Sequence, residues 1–536
     1  MNIQKLQIKD FKCFTEYELE PAPETTIIIG RNGAGKTSIL QAFKIGLSFI
    51  FANDKSLGND FLSAGNPSLK VISYEPGDYR LDTATRTYAP SANIHGEAQY
   101  GEKKLSWDMY KRSVVGAALY SSRYKIAFQT FMNAWKNEGE ELPLLAYYSD
   151  SFPHKDVKET KYALDIIQQE YMPRNFGYYQ WDMEAACVSI WEIRLSNKLA
   201  QRMPLYTPAM RLAVKLQELE NQYSKEELEV NEEYLSARAD MERIQKNMEP
   251  LAKETDYITG RLQKFISGLP ALKGEGYEID YLIPNQTEQG YQLTIVFKNG
   301  KIEQFQHLPA GYRRLYAMVL DIAYRAYILN GEKESAGIIM IDEIDLHLHP
   351  SLEQCVVQSL RDTFPRIQFI MSTHSVAVIS NLNTAETDER GNFLNKILIM
   401  QEGQTQAEVL PNIYGIDYTA ALRDFMDTPS RNLEIRKKMD EYLTYYALGL
   451  EKEAESILNE IKKIVGTDVH PVLEELDRKK GTMRYIDKYR LRTQAHHINV
   501  RFLKDCYAGD INHPCPSPDN PMGSFEDFKK KTIQRI

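Results

Sequence analysis

The sequence predicts an α/β fold, a mixed sheet flanked by helices, and three observations carry the prediction. Three apolar runs each lead into residues suited to a site. Thr26-Ile27-Ile28-Ile29 opens into a glycine-rich turn, Gly337-Ile338-Ile339-Met340-Ile341 into two acids, and Ile367-Gln368-Phe369-Ile370-Met371 into Ser372-Thr373-His374. Near-continuous apolar runs of this length read as strands buried on both faces, as in parallel sheets. Ligands in such sheets bind beyond the carboxyl ends of the strands.

The first run continues as Gly30-Arg31-Asn32-Gly33-Ala34-Gly35-Lys36-Thr37, which fits the phosphate-loop pattern G-x-x-x-x-G-K-[ST]. A helix-like segment follows from Ser38. The glycines let backbone N–H groups converge on phosphate, and the helix N-terminus adds a positive dipole end. Lys36 is placed to neutralise the β- and γ-phosphates of ATP, and Thr37 to offer its hydroxyl to Mg²⁺. Positions 30–38 are the candidate nucleotide-binding residues.

The second run ends in Asp342-Glu343-Ile344-Asp345-Leu346-His347-Leu348-His349-Pro350. Asp342 would hold Mg²⁺ through water, and Glu343 would polarise the attacking water. An acid directly after the metal carboxylate suits hydrolysis, because a base must sit near the γ-phosphate. His374, at the end of the third run, can hydrogen-bond a γ-phosphate and sense its loss.

Lys36 and Asp342 stand 306 positions apart, far more than a minimal sheet needs, so an insertion must project from the head. The expected organisation is an N-terminal head segment over 1–160, a helical insertion or lid over 161–288, a second head segment over 289–412, and a helical region over 413–536. In the insertion Leu212, Leu216, Leu219 and Tyr223 recur at helical spacing, as do Met241, Ile244, Met248 and Leu251. Joined near Val230, they form a short antiparallel coiled-coil hairpin, used for self-association or packed on the head as a lid. In the last region Met439, Leu443 and Tyr446 share one helix face, and Ile457, Ile461 and Ile464 another. Arg478 to Arg492 interleave cations with aromatics, which fits either a nucleic-acid backbone or a solvated helix face. His496, His497, Cys506, His513 and Cys515 fit no zinc-finger spacing, and the prolines around them favour an extended tail.

A chain of 536 residues with a 43% hydrophobic fraction is folded and has several lobes. Its net charge of −9 leaves nucleic-acid contact to a local basic patch. Five scattered cysteines read as reduced thiols, and no apolar run is long enough for a membrane span, so a cytoplasmic protein is expected.

With these motifs in order, the chain resembles the ABC-type ATPase superfamily, in the branch of RecF, SMC/Rad50 heads and OLD ATPases. The run Glu343 to Pro350, the strand from Leu142 to Tyr148 and Tyr414-Gly415-Ile416-Asp417-Tyr418 are similar to Septu-type defence ATPases (PtuA), some of which accompany retrons. The resemblance implies an ABC-type P-loop NTPase head and a signature motif at Leu308-Pro309-Ala310-Gly311-Tyr312-Arg313-Arg314. Gly311 would contact ATP held by a second copy in a head-to-head dimer. Pro309 stands where relatives carry Ser and removes a hydroxyl, while Arg313 or Arg314 reaches phosphate or faces solvent. Lys12, in Phe11-Lys12-Cys13-Phe14, contacts nucleotide or occupies a plain strand position. His347 and His349 are structural or support the acids from behind.

The sequence shows no nuclease constellation. The run Lys396-Ile397-Leu398-Ile399-Met400 lacks the following acids of a Toprim site, and Asp424 and Asp427 stand in helical sequence. The Septu resemblance implies a partner HNH endonuclease and, in a retron, a reverse transcriptase with its RNA–DNA product. An ATP-gated DNA clamp of the RecF or SMC kind is the alternative.

Overall fold

The computed structural model describes residues 1–53, 62–66, 68–152, 160–182, 188–287, 290–418, 421, 432–448, 450–466 and 470–482. They fall in two compact units, Met1–Met426 and Asp427–Ile536. The first unit begins with β1 (Asn2–Phe11), β2 (Phe14–Leu19), β3 (Thr25–Gly30) and α1 (Lys36–Leu47). Next come β4 (Leu81–Asp82), β5 (Thr87–Tyr88), β6 (Ala92–Tyr100), β7 (Lys103–Lys111), α2 (Lys125–Asn137) and β8 (Leu144–Tyr148). A mostly helical stretch follows: α3 (Lys161–Ile167), α4 (Val188–Gln222), α5 (Lys225–Leu228), α6 (Glu232–Ser267) and α7 (Pro270–Gly274). The chain then forms β9 (Ile279–Thr287), β10 (Gly290–Phe297), β11 (Ile302–Gln304), α8 (Ala310–Asn330) and β12 (Gly337–Ile341). It continues with α9 (Pro350–Glu353), α10 (Val356–Thr363), β13 (Ile367–Ser372), α11 (Val376–Ser380), β14 (Asn395–Met400) and β15 (Glu408–Val409).

The three apolar runs are the middle of a six-stranded sheet of order β15-β14-β3-β13-β12-β8. All its neighbouring pairs are parallel except β14 with the edge strand β15. Every residue of β8, β12 and β13 is buried, which is why these strands carry continuous apolar sequence and no alternation. A second, antiparallel sheet of order β2-β1-β6-β7 shows the opposite pattern, with β6 alternating buried and half-buried positions along its length.

One polar residue in β13 joins the two sheets. Gln368, 1% exposed, accepts from Ile3 N–H at 2.8 Å. Its amide donates to the carbonyls of Ile3 and Ala22 at 2.9 and 2.8 Å. Buried amides need such partners, so Gln368 fixes β1 against the central sheet.

β9 and β10 pair antiparallel, so the helices of the insertion end at α7 and strand follows them. Phe305 begins a 3-10 turn and does not extend β11. Within the insertion α4 and α6 run antiparallel: Arg194 bonds Glu254 at the root, and Lys215 pairs with Glu233 near the turn. Leu219 and Ala237 are buried between them, and Leu212, Leu216, Met241, Ile244 and Met248 are half-buried. The root is held by charge. Arg194 grips both carboxylate oxygens of Glu254 at 2.6 and 2.7 Å and donates to the carbonyls of Ile167 and Gln169. Trp191 beside it stacks on Tyr324 of α8, centroids 5.0 Å apart.

The second unit packs the helices Leu433–Leu448, Glu451–Val465 and Pro471–Thr482 around Met439, Tyr442, Ala454, Ile461, Leu473 and Leu476. Ile464 does not share the buried face of Ile457 and Ile461; it is 44% exposed. Asp424, Asp427, the basic stretch beyond residue 482 and the histidines and cysteines of the tail lie outside the described residues. Among the described residues no helix is long and apolar enough to cross a membrane.

Replacing Arg194 by Met strands the Glu254 carboxylate in the core. Urea unfolding followed by tryptophan fluorescence is expected to show a loss of about 3–5 kcal/mol. The double variant Arg194→Met/Glu254→Leu should recover most of it, because no unpaired charge remains.

Candidate functional site

Parallel strands release their chains at one edge, and there the sequence motifs meet. β3 opens into the phosphate loop, whose Gly30, Gly33 and Gly35 have φ of +154°, +84° and +100°. These angles suit glycine, and space excludes a side chain at two of the positions. A Cβ on Gly30 would lie 2.5 Å from the Met400 carbonyl oxygen, and one on Gly35 would lie 2.5 Å from the Phe14 ring and 2.8 Å from Cys13 Sγ. The turn between β1 and β2 therefore packs on the loop. Lys12 in that turn has φ +50° and pairs with Asp78 at 3.4 Å, so it occupies neither a strand nor a free position.

Lys36 begins α1 and is 7% exposed. Its ammonium folds back over the loop, donating to the carbonyls of Gly30 at 2.9 Å and Arg31 at 3.3 Å. Burial pushes its pKa down, and the carboxylates of Asp342, Glu343 and Asp345 act in the opposite sense. Those three acids act on the ammonium through space although they lie over 300 positions away in the chain. Thr37 is exposed and Ser38 half-buried in the first turn of α1.

Asp342 directly follows β12 with 2% exposure, its N–H bonded to the Tyr148 carbonyl at 2.7 Å. Ser372, at the end of β13, donates its hydroxyl to Asp342 Oδ1. The same hydroxyl oxygen accepts from Glu343 N–H at 2.8 Å. Glu343 has φ +50°, a left-handed conformation that a non-glycine residue holds only when its surroundings impose it. Arg314 imposes it from the other side. Fully buried, its Nη2 donates to the carbonyls of Asp342 at 3.0 Å and Glu343 at 2.9 Å. Its Nη1 reaches the Asp150 carbonyl at 3.4 Å, tying in the segment after β8. Asp345 Oδ1 accepts from the Thr373 hydroxyl at 2.5 Å and from His374 N–H at 3.3 Å, which joins the acid loop to the loop after β13. Burial and then the Asp342 carboxylate push the Glu343 carboxyl above its ordinary range, while His374 pulls it down. A base with raised affinity for a proton suits proton abstraction near neutral pH.

The first turn of α8 rests on this loop. A Cβ on Gly311 would lie 2.4 Å from the His347 carbonyl oxygen. His349 caps α9, its Nδ1 accepting from Ser351 N–H at 3.3 Å. Arg313 is half-buried, and its Nη1 donates to the Gln306 carbonyl at 3.2 Å.

The fold thus gathers Lys36, Asp342, Glu343 and His374, with Gly311 against the back of the acid loop. It overturns the expectation for Arg314, which neither faces solvent nor points at a phosphate but braces the backbone of the two acids. Arg314, Ser372 and Asp345 are the residues that motif reasoning missed. Arg314 had one signal, a cation within the apolar stretch that opens α8, and Ser372 sat inside the Ser-Thr-His run without a stated role.

The site fits Mg²⁺ with nucleotide. Asp342 Oδ2 has no hydrogen-bond partner among the described residues, and Thr37 offers a hydroxyl. Among the described residues no group of three or more His, Cys, Asp or Glu could hold a metal ion alone. Oxygens from phosphate and water would complete the shell, the kind of coordination Mg²⁺ favours.

Residues 5–269 match the family model described as "AAA domain". Residues 193–380 match a second AAA-domain model, described with the AbiEii toxin and a type IV TA system. The chain is 26% identical over 427 residues to "Retron Vc95 probable ATPase" of Vibrio cholerae serotype O1 biovar El Tor, covering 74% of each chain. It is 22% identical over 423 residues to "Retron Ec83 probable ATPase" of Escherichia coli, covering 72% of this chain and 70% of that one. It is 26% identical over 205 residues to "Septu protein PtuA" of Bacillus thuringiensis, covering 34% of this chain and 50% of that one. Among solved structures, an SMC head from Pyrococcus furiosus, bound to the C-terminal domain of ScpA, covers 76% of this chain and 96% of its own with a TM-score of 0.39 and 12% identity. The chain is an ATPase, similar to ATPases named for retrons and to Septu PtuA.

Arg314→Met leaves the carbonyls of Asp342 and Glu343 without their donor. The expected outcome is a stability loss of about 1–3 kcal/mol by urea titration, with ATP hydrolysis reduced and ATP binding retained.

Proposed function

We propose that this ATPase is the nucleotide-switched subunit of a bacterial antiphage defence system of the Septu or retron kind, and that its nucleotide state controls a partner HNH endonuclease. The observation that carries the reading is the meeting of Lys36, Asp342, Glu343 and His374 at one sheet edge, in a chain similar over most of its length to ATPases named for retrons.

The residues divide the work as follows. Backbone N–H groups of the phosphate loop and the Lys36 ammonium bind the β- and γ-phosphates. ATP displaces the Gly30 and Arg31 carbonyls as partners of Lys36, so binding exchanges two neutral acceptors for charged ones. Asp342 and Thr37 would hold Mg²⁺, which would supply charge neutralisation at the phosphates. Glu343 orients the attacking water and takes its proton, and His374 reports the γ-phosphate. Gly311 meets the nucleotide of a second copy, which makes the closed form a head-to-head dimer. Pro309 gives that dimer no signature hydroxyl, so closure leans on backbone contacts and is weaker than with serine. In a retron setting the further partners are a reverse transcriptase and its RNA–DNA product.

Purified chain, incubated with DNA and Mg²⁺-ATP, is expected to leave the DNA intact until the HNH partner is added. Robust cutting by the chain alone overturns this division of labour, and DNA-stimulated ATP turnover that needs no nuclease partner points to an ATP-gated DNA clamp.

Glu343→Gln is expected to bind ATP at unchanged affinity while hydrolysis falls about a hundredfold or more, and the dimer should persist on size-exclusion chromatography with ATP. Lys36→Ala should weaken ATP binding in a titration with a fluorescent analogue.

A further inference from the structure

A cavity of about 770 Å³ lies at the edge of the central sheet opposite the phosphate loop. Residues 139–141, which precede β8, and 327–331, which close α8 ahead of β12, form one side. The root of α4 and α6 forms the other. Its size is that of sites enclosing a drug-sized molecule.

Lys198 of α4 lines this cavity with 8% exposure and has no hydrogen bond or ion pair among the described residues. Most of its charged neighbours are already committed, and the exposed Glu170 and Lys333 make no ion pair with it among the described residues. Arg194 holds both oxygens of Glu254, Lys253 pairs with Glu249 at 2.6 Å, and Arg174 donates to the Leu329 carbonyl at 2.7 Å and to Asn330 Oδ1 at 3.2 Å. A cation so buried and unpartnered is costly unless something neutralises it. Trp135, Tyr171 and Tyr327 offer ring surface in the same cavity. Glu140, Glu141 and Glu170 also line it, and their carboxylates disfavour a polyanion such as a nucleic-acid strand or ATP.

We propose that this cavity is a second ligand site, which takes a small molecule with one oxyanionic head, phosphate or carboxylate, and a planar body. The head pairs with Lys198, and the body lies against the aromatic rings. α8 runs from Gly311 in its first turn to Asn330 in the cavity wall, so an occupant touches the helix whose Arg314 braces the catalytic acids. The site stands independently of the proposed defence role.

Phenyl phosphate and benzoate, planar probes with a phosphate and a carboxylate head, test this on the full chain by protecting Lys198 from reductive methylation. Formaldehyde condenses with an unoccupied lysine amine, water leaves and an imine forms. Borohydride then delivers hydride to the imine carbon and solvent a proton to nitrogen, leaving a secondary amine that peptide mass spectrometry locates. A probe in the cavity is expected to slow methylation of Lys198 several-fold while the exposed Lys104 and Lys246 react as before. Protection by phenyl phosphate identifies a phosphate-headed ligand, and protection by benzoate a carboxylate-headed one. No protection of Lys198 by either probe overturns the site. Lys198→Met should also raise the melting temperature of the ligand-free chain, since an unpaired charge is removed; a fall would show the ammonium to be structural and equally overturn it.

Discussion

The parallel register of β8, β12, β13, β3 and β14 is the constraint on which the rest depends. Parallel strands deliver their carboxyl ends to one edge, and each of the three middle strands leads into residues with a polar task. That arrangement alone brings Lys36 beside acids from the far half of the chain. It also makes the acid loop depend on its neighbours. Ser372 from one strand and Arg314 from a helix hold Glu343 in a backbone conformation it would not adopt unaided.

Polar groups in the core do a second kind of job. Asp321 of α8, 1% exposed, accepts from the Tyr148 hydroxyl at 2.7 Å, from Trp191 Nε1 at 2.5 Å and from Arg325 Nε at 2.7 Å. It thereby joins the last residue of β8, the root of α4 and α8 at one carboxylate. Gln368 does the same for the two sheets, and Arg194 with Glu254 for the two arms of the hairpin. Apolar replacements of such groups often cost little net stability, so the gain here is alignment: each fixes how one layer sits on another. The helix carrying Gly311 and Arg314 is positioned through Asp321 and Arg325, far along the same helix from the acids it braces.

The strand–loop–helix context of Gly30 to Thr37, the two acids after β12 and the histidine after β13 were legible because each is a contiguous pattern with a chemical reason for its spacing. Most of the paired stripes of α4 and α6 was legible for the same reason, since helical periodicity is local, but Tyr223 is 38% exposed and falls outside the buried seam. The strand at β9 was not, because Ile279-Asp280-Tyr281-Leu282-Ile283 shows its half-buried character only when β10 pairs with it. Ile464 misled for a related reason: helical spacing gives a face but not which face finds a partner.

The sequence by itself determined the nucleotide chemistry, since glycines, a lysine, a hydroxyl and paired acids in fixed local order admit few other uses. Only the tertiary structure decided how that chemistry is held. Arg314 read as a cation free to face solvent or phosphate, yet burial behind β12 turned it toward two backbone carbonyls. Lys198 belongs to no sequence motif, yet the root of the hairpin buries it beside a cavity. A side chain's type is written in the chain, but its partners are set by which distant segments the packing places around it.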